Sequence, residues 1–132
     1  MKLPYKLYDR SVLRPVVPIR LKYGTKGLLY EALVDSGADV SLFSREVGEV
    51  LGINIESGKS YKVRGVGGAS SMYYMHEITL IIAGHTYQTE VGFEEESNDE
   101  VAPYGVIGQQ GLFDHFTVRF SLAKKEIELE SN

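Results

Sequence analysis

The chain of 132 residues contains no cysteine. That absence excludes disulfides and thiolate chemistry, and it is compatible with a reducing compartment. No apolar run approaches the ~20 residues a membrane-spanning helix needs; the longest, around Ile78–Ala83, has the length of a strand. The opening "MKLPYKLYDRSVLRP" is charged and broken by proline, so it lacks the apolar core of a secretory signal. The expectation is a cytoplasmic protein with no membrane contact. Positive charge is not in excess either. A net charge of −4 argues against a nucleic-acid groove, which depends on neutralising phosphates. The acidic stretch "EEESNDE", Glu94–Glu100, reads as a solvated loop. His76, His85 and His115 stand without metal-ligand spacing and no HExxH pattern occurs, so neither metal nor cofactor is expected. No serine sits in a Gly-x-Ser-x-Gly elbow, and "GVGG" lacks the Lys-[Ser/Thr] end of a phosphate loop.

What is present is the punctuation of an all-β protein. "VVPIRLKYG" alternates Val17, Ile19, Leu21 and Tyr23 with other residues and stops at "GTKG", a glycine-flanked hairpin turn. "LLYEALVD" is the return strand, apolar enough to be buried on both faces. "SYKVRGVGGASSMYYMHEITLIIAG" reads as a strand, a glycine-rich tip and a long returning strand, with a turn at Gly84-His85 and a further strand in "TYQTEVGF". The tail "FTVRFSLAKKEIELE" holds two alternating runs, Phe116–Phe120 and Glu126–Glu130, about a turn at Ala123–Lys125. Helix is scarce. "SREVGEVLG" predicts one short helix with Ser44 as N-cap, Gly52 as stop and Val47, Val50 and Leu51 inward. "QQGLFDHF" predicts another that buries Leu112, Phe113 and Phe116, with His115 pairing with Asp114 or capping it. A chain of this size is one domain, burying about two-thirds of its unfolded surface. It divides into an N-terminal extension, residues 1–15, and a single domain, residues 16–132, built as a small barrel or sandwich.

One stretch carries chemistry. In "ALVDSGADVSLFS" an apolar run ends in Asp35, Ser36 and Gly37, with a second carboxylate at Asp39. Leu33 and Val34 place Asp35 at the end of a buried strand, and Gly37 permits a turn that a side chain would obstruct. Taken alone, Asp-Ser-Gly is equally a structural Asx-turn. Its companions change the weighting. "YGVIGQQGLF" offers two apolar residues and a glycine leading onward, and "VRGVGGASS" lies between the two segments as the tip of a long hairpin.

The ordered set resembles the retropepsin-like aspartic proteases, the retroviral-type enzymes and their stand-alone bacterial relatives, over about residues 16–130. The resemblance implies a small closed β-barrel of the acid-protease type and cleavage of peptide bonds in extended polypeptide. Such chemistry needs two carboxylates sharing one proton, and like charges that close cannot both ionise freely. This chain holds one Asp-[Ser/Thr]-Gly motif, so the resemblance implies a homodimer in which Asp35 faces its symmetry copy.

Roles follow by position. Ser36 would donate a hydrogen bond across the axis, Gly37 would offer its carbonyl to substrate, and Ala38 would stay small beside the peptide. Asp39 matches a substrate-contacting position that, in viral members, pairs with an arginine after the second motif; here that residue is Gln109. Gly65, Val66, Gly67 and Gly68 correspond to the tip of a flap that closes over substrate, and Tyr104 and Val106 to pocket-lining positions. Val118, Phe120, Ile127 and Leu129 are expected to form a self-complementary sheet at the two-fold. The alternative is a catalytically inactive dimeric module of the same fold that binds peptide or another partner.

Overall fold

A computed structural model describes residues 1–65, 67–97 and 103–132. Val66, assigned above to a flap tip, and the end of the acidic stretch lie outside the described residues. The central hairpin pairs β4 (Val16–Tyr23) with β5 (Lys26–Val34), and its register runs from Val16 opposite Leu33 to Tyr23 opposite Lys26. Alternation is the cause: Val17, Ile19 and Leu21 are buried while Pro18, Arg20 and Lys22 face solvent. Gly24 makes the turn in the left-handed region, at φ +58°.

Six strands close into a barrel. In order around it come β4, β5, β10 (Gly105–Ile107), β6 (Ser41–Phe43), β9 (His85–Glu94) and β8 (Ser70–Ile82), and β8 pairs back to β4 through Leu21 and Leu80. Strand β7 (Lys59–Arg64) lies outside the ring as the free edge beyond β8. Inside sit Phe43, Phe93, Leu21, Ile55, Leu80, Ile82 and Ile107, all buried. Each such side chain contributes about 1.5–3 kcal/mol relative to exposure. The β8–β9 turn falls on Ala83 and Gly84, both at positive φ, one residue before the expected Gly84-His85. Two successive left-handed residues match the twist of the flanking strands, which displaces His85 into β9.

The single α-helix among the described residues, α1 (Arg45–Val50), follows Ser44, whose hydroxyl makes no capping bond. Val47 and Leu51 are buried as expected, but Val50 is 54% exposed. The buried arc is centred toward Gly48, where an added Cβ would lie 3.0 Å from the Phe93 ring, and Val50 falls on the far side of Val47. A short 3-10 turn, Ile55–Ser57, leads into β7.

The expected helix at "QQGLFDHF" is absent. Gly111 sits at φ +115°, its N–H donates to Asp114 Oδ1 (3.0 Å), and the following amides reach back by three, four or five residues in irregular turns. Leu112 and Phe116 are nonetheless buried.

Residues 1–15 carry structure of their own. Strand β1 (Lys2–Pro4) joins the C-terminal hairpin β11 (Phe116–Ser121) and β12 (Glu126–Ser131) in a three-stranded sheet ordered β1-β12-β11. Strands β2 (Lys6–Tyr8) and β3 (Val12–Arg14) form a separate hairpin. Ile127 and Leu129, expected at a two-fold, are buried in the core of their own chain. β1 occupies the far edge of β12, so of the four residues only Val118 (half-buried) and Phe120 (45% exposed) reach the surface. Among the described residues no helix is long and apolar enough to cross a membrane.

Candidate active site

Strand β10 runs parallel to β5 and antiparallel to β6, so it separates two strands that are neighbours in sequence. The chain from β5 to β6 must therefore cross the end of β10. That crossing is the segment Asp35–Val40. The Asp35 N–H still donates to Ile107 O (3.0 Å), continuing the β5–β10 ladder. The turn then closes on itself: Ala38 N–H donates to Asp35 O (3.2 Å) and Gly37 N–H to Asp35 Oδ1 (2.9 Å). Asp35 is half-buried, and Ser36, Gly37 and Asp39 are exposed. The Asx-turn and the chemical reading thus coexist, since one carboxylate oxygen fixes the turn and the group still reaches the surface.

A second loop, Gly108–Gly111, lies directly against the first. Gln109 N–H donates to Ala38 O (2.8 Å), Gln110 N–H to Asp39 O (3.0 Å), and Gln109 Nε2 to Ser36 O (2.8 Å). The Gln109 side chain therefore ties the loops by a neutral bond to main chain, not by an ion pair with Asp39. The loops approach so closely that a Cβ on Gly108 would fall 2.3 Å from Ala38 O, and one on Gly105 2.3 Å from the Phe43 ring. Only glycine fits at either place.

Two residues that the sequence reading passed over hold this junction. Ser41, fully buried, donates from Oγ to Gln110 O (2.7 Å) and accepts from Gly108 N–H (3.1 Å). Tyr87 Oη donates to Gly111 O (2.7 Å), with the His115 ring stacked 3.9 Å from its own. Burial, and secondarily the negative Asp114, pushes the Tyr87 phenol up, so it stays a protonated donor. The available signal was Ser41 itself, a lone hydroxyl at an inward position of the apolar run "VSLF". Tyr87 gave no such signal among nine tyrosines.

The β7–β8 hairpin overhangs the first loop, leaving a cleft of about 370 Å³ lined by Gly37, Ala38, Asp39, Val40, Leu42 and the β7 residues Tyr61–Arg64. Its tip is closed by Gly65 N–H to Ala69 O (2.8 Å), with Gly67 and Gly68 exposed at φ +95° and +87°. Val106 lies half-buried between Leu33 and Leu42. Tyr104 is turned to other partners: its ring meets Tyr8 edge-on at 5.2 Å and its hydroxyl accepts from Arg14 Nη1 (3.0 Å). Of the residues singled out, Gly37, Ala38 and Asp39 converge with the hairpin, Asp35 and Ser36 belong to the same turn but do not line the cleft, and Tyr104 joins the N-terminal hairpin. His115 lies 3.8 Å from Asp114, and no group of three or more His, Cys, Asp or Glu among the described residues could hold a metal.

The closed six-stranded barrel with its crossed loops is the retropepsin fold. A solved structure of the same fold, EIAV protease complexed with the inhibitor HBY-793, aligns with a TM-score of 0.54 at 20% identity, covering 79% of this chain and 88% of that one. No curated protein sequence matches. Residues 18–110, most of the chain with the Asp35 turn and all but the last residue of the second loop, match the aspartyl protease family, and the chain belongs to that retropepsin-like family.

Proposed function

We propose that the protein is an aspartic endopeptidase that hydrolyses peptide bonds in extended polypeptide as a homodimer, with Asp35 of each protomer forming the catalytic dyad. One carboxylate, ionised, takes a proton from water as the water attacks the scissile carbonyl; the protonated partner donates to that carbonyl oxygen. Ser36 bonds across the axis, Gly37 and Asp39 hold the peptide main chain, and Ala38 leaves room for it. The β7–β8 hairpin, with Gly65, Val66, Gly67 and Gly68 at its tip, closes as a flap and excludes solvent. Val106, and Tyr104 if the N-terminal hairpin yields, border the side-chain pockets.

One observation carries this reading. The Asp35 turn is fastened to the Gly108–Gln110 loop by three direct hydrogen bonds and by buried Ser41, which is more support than a surface turn needs. A half-buried carboxylate on a turn held this firmly, two residues before a cleft lining that begins at Gly37 and Ala38, suits a group whose position matters to chemistry. The test is cleavage of an unstructured protein at mildly acidic pH. Asp35→Asn should lose activity by at least ~10²–10⁴-fold, and a statine transition-state analogue should block the wild type. Equal cleavage by wild type and Asp35→Asn would defeat the proposal.

A further inference from the structure

Strand β7, Lys59–Arg64, reads KSYKVR: three cations and no acid in six residues of a chain whose net charge is −4. Two of the cations, Lys62 and Arg64, line the cleft opposite the Gly37–Val40 turn. Residues two apart on a strand leave the backbone on the same side, so the pair offers two positive groups roughly 7 Å apart. Among the described residues neither is ion-paired, as holds for most of the chain's lysines and arginines; what sets these two apart is their place in the cleft wall. Asp39, on the opposite wall, is the one acid among the described residues that lines the cleft. Lys62 also borders a neighbouring hollow with Glu94, Glu95 and Glu96. Arg64 does not line that hollow, so its charge is the less compensated of the two. Strand β7 ends its sheet, and an extended chain can add to a free strand edge through main-chain hydrogen bonds.

We propose that the cleft selects extended polypeptide bearing acidic side chains on the side that meets β7, and that Lys62 and Arg64 make the selection. This rests on the peptide-binding part of the function proposed above, not on its chemistry. An exposed ion pair changes an equilibrium by a factor of about 1.4 to 5, so two pairs together, set against repulsion of a basic peptide, give roughly tenfold discrimination. The effect shrinks as salt shortens the Debye length to about 3 Å near 1 M.

The experiment measures anisotropy of two labelled, otherwise apolar decapeptides, one with two Glu and one with two Lys at alternate positions, on full-length Asp35→Asn protein. The Glu peptide should bind about tenfold tighter at low salt. The preference should fade in high salt and reverse in the Lys62→Glu/Arg64→Glu variant. A Lys22→Glu/Lys124→Glu variant, with the same charge change far from the cleft, should keep it. Equal binding of both peptides, binding of neither, or equal loss of preference in both variants overturns the proposal. Selective Glu-peptide binding with no cleavage by the wild type would uphold the charge preference and remove the endopeptidase reading alone.

Discussion

Replacing Ser41 by alanine perturbs the junction between the two loops and little else. The side chain is fully buried and makes two bonds, donating to Gln110 O and accepting from Gly108 N–H. Their losses are unequal. Gln110 is exposed, so its carbonyl can turn to water, and the loss there is an ordinary net hydrogen bond of about 0.5–1.5 kcal/mol. Gly108 is buried, and its N–H would be left without a partner, at about 1–3 kcal/mol. The sum is about 1.5–4.5 kcal/mol. For a chain of 132 residues each kcal/mol is worth about 3–4 °C in Tm, so a fall of about 5–16 °C is expected. Urea unfolding at fixed protein concentration measures it, because association shifts apparent stability by mass action. Peptidase turnover should fall further than stability alone explains, since the same bonds fix the Asp35 turn. A Ser41→Ala protein within ~0.5 kcal/mol of wild type with an unchanged m-value would refute the assignment of Ser41 as the clamp.

Three further outcomes follow from the same geometry. Gly108→Ala, whose Cβ would meet Ala38 O at 2.3 Å, should prevent the loops from docking and cost about 3 kcal/mol or more, read as loss of soluble folded protein or a collapsed Tm. Tyr87→Phe leaves the buried Gly111 carbonyl unpaired and should cost about 1–2 kcal/mol below pH 10. Because the folded-state phenol is raised above its unfolded value, its stabilising share is complete below about pH 10 and is lost as pH climbs toward the folded value. The gap between Tyr87→Phe and wild type should therefore narrow in alkaline unfolding. Glu94→Gln should move the same way with pH, gaining on wild type as pH rises. Burial, then Glu46 and Glu96, holds the Glu94 carboxyl above its usual range, so its ionisation opposes folding once pH rises through about 4.5. The variant should match wild type at pH 4 and exceed it in Tm at pH 7.

The barrel was legible because its strands obey a two-residue period that burial enforces; Val17, Ile19 and Leu21 could face only inward. The Asp35 turn was legible because aspartate, serine and glycine at the end of an apolar strand are a local signal. Errors fall where long-range packing overrides local pattern. Val50 has helical spacing that suits burial, but the contact of Gly48 with Phe93 turns the helix so that Val50 faces outward. "QQGLFDHF" has the apolar spacing of a helix, yet Gly111 at φ +115° and the Asp114 bond break it into turns. Ile127 and Leu129 carry the pattern of any half-buried strand, which cannot say whether the covering surface belongs to the same chain. The bond from Gln109 to Ser36 was invisible because only the folded backbone brings position 109 beside position 36.

The central claim, that two copies of Asp35 share one active site, is tested most directly by mixing wild-type and Asp35→Asn protein at constant total concentration, after subunit exchange, and measuring peptide cleavage. A dyad shared across a two-fold predicts that activity falls as the square of the wild-type fraction, to about one quarter in an equal mixture, since mixed dimers hold only one carboxylate. A linear fall, to about one half, would mean that each protomer works alone and would contradict the account.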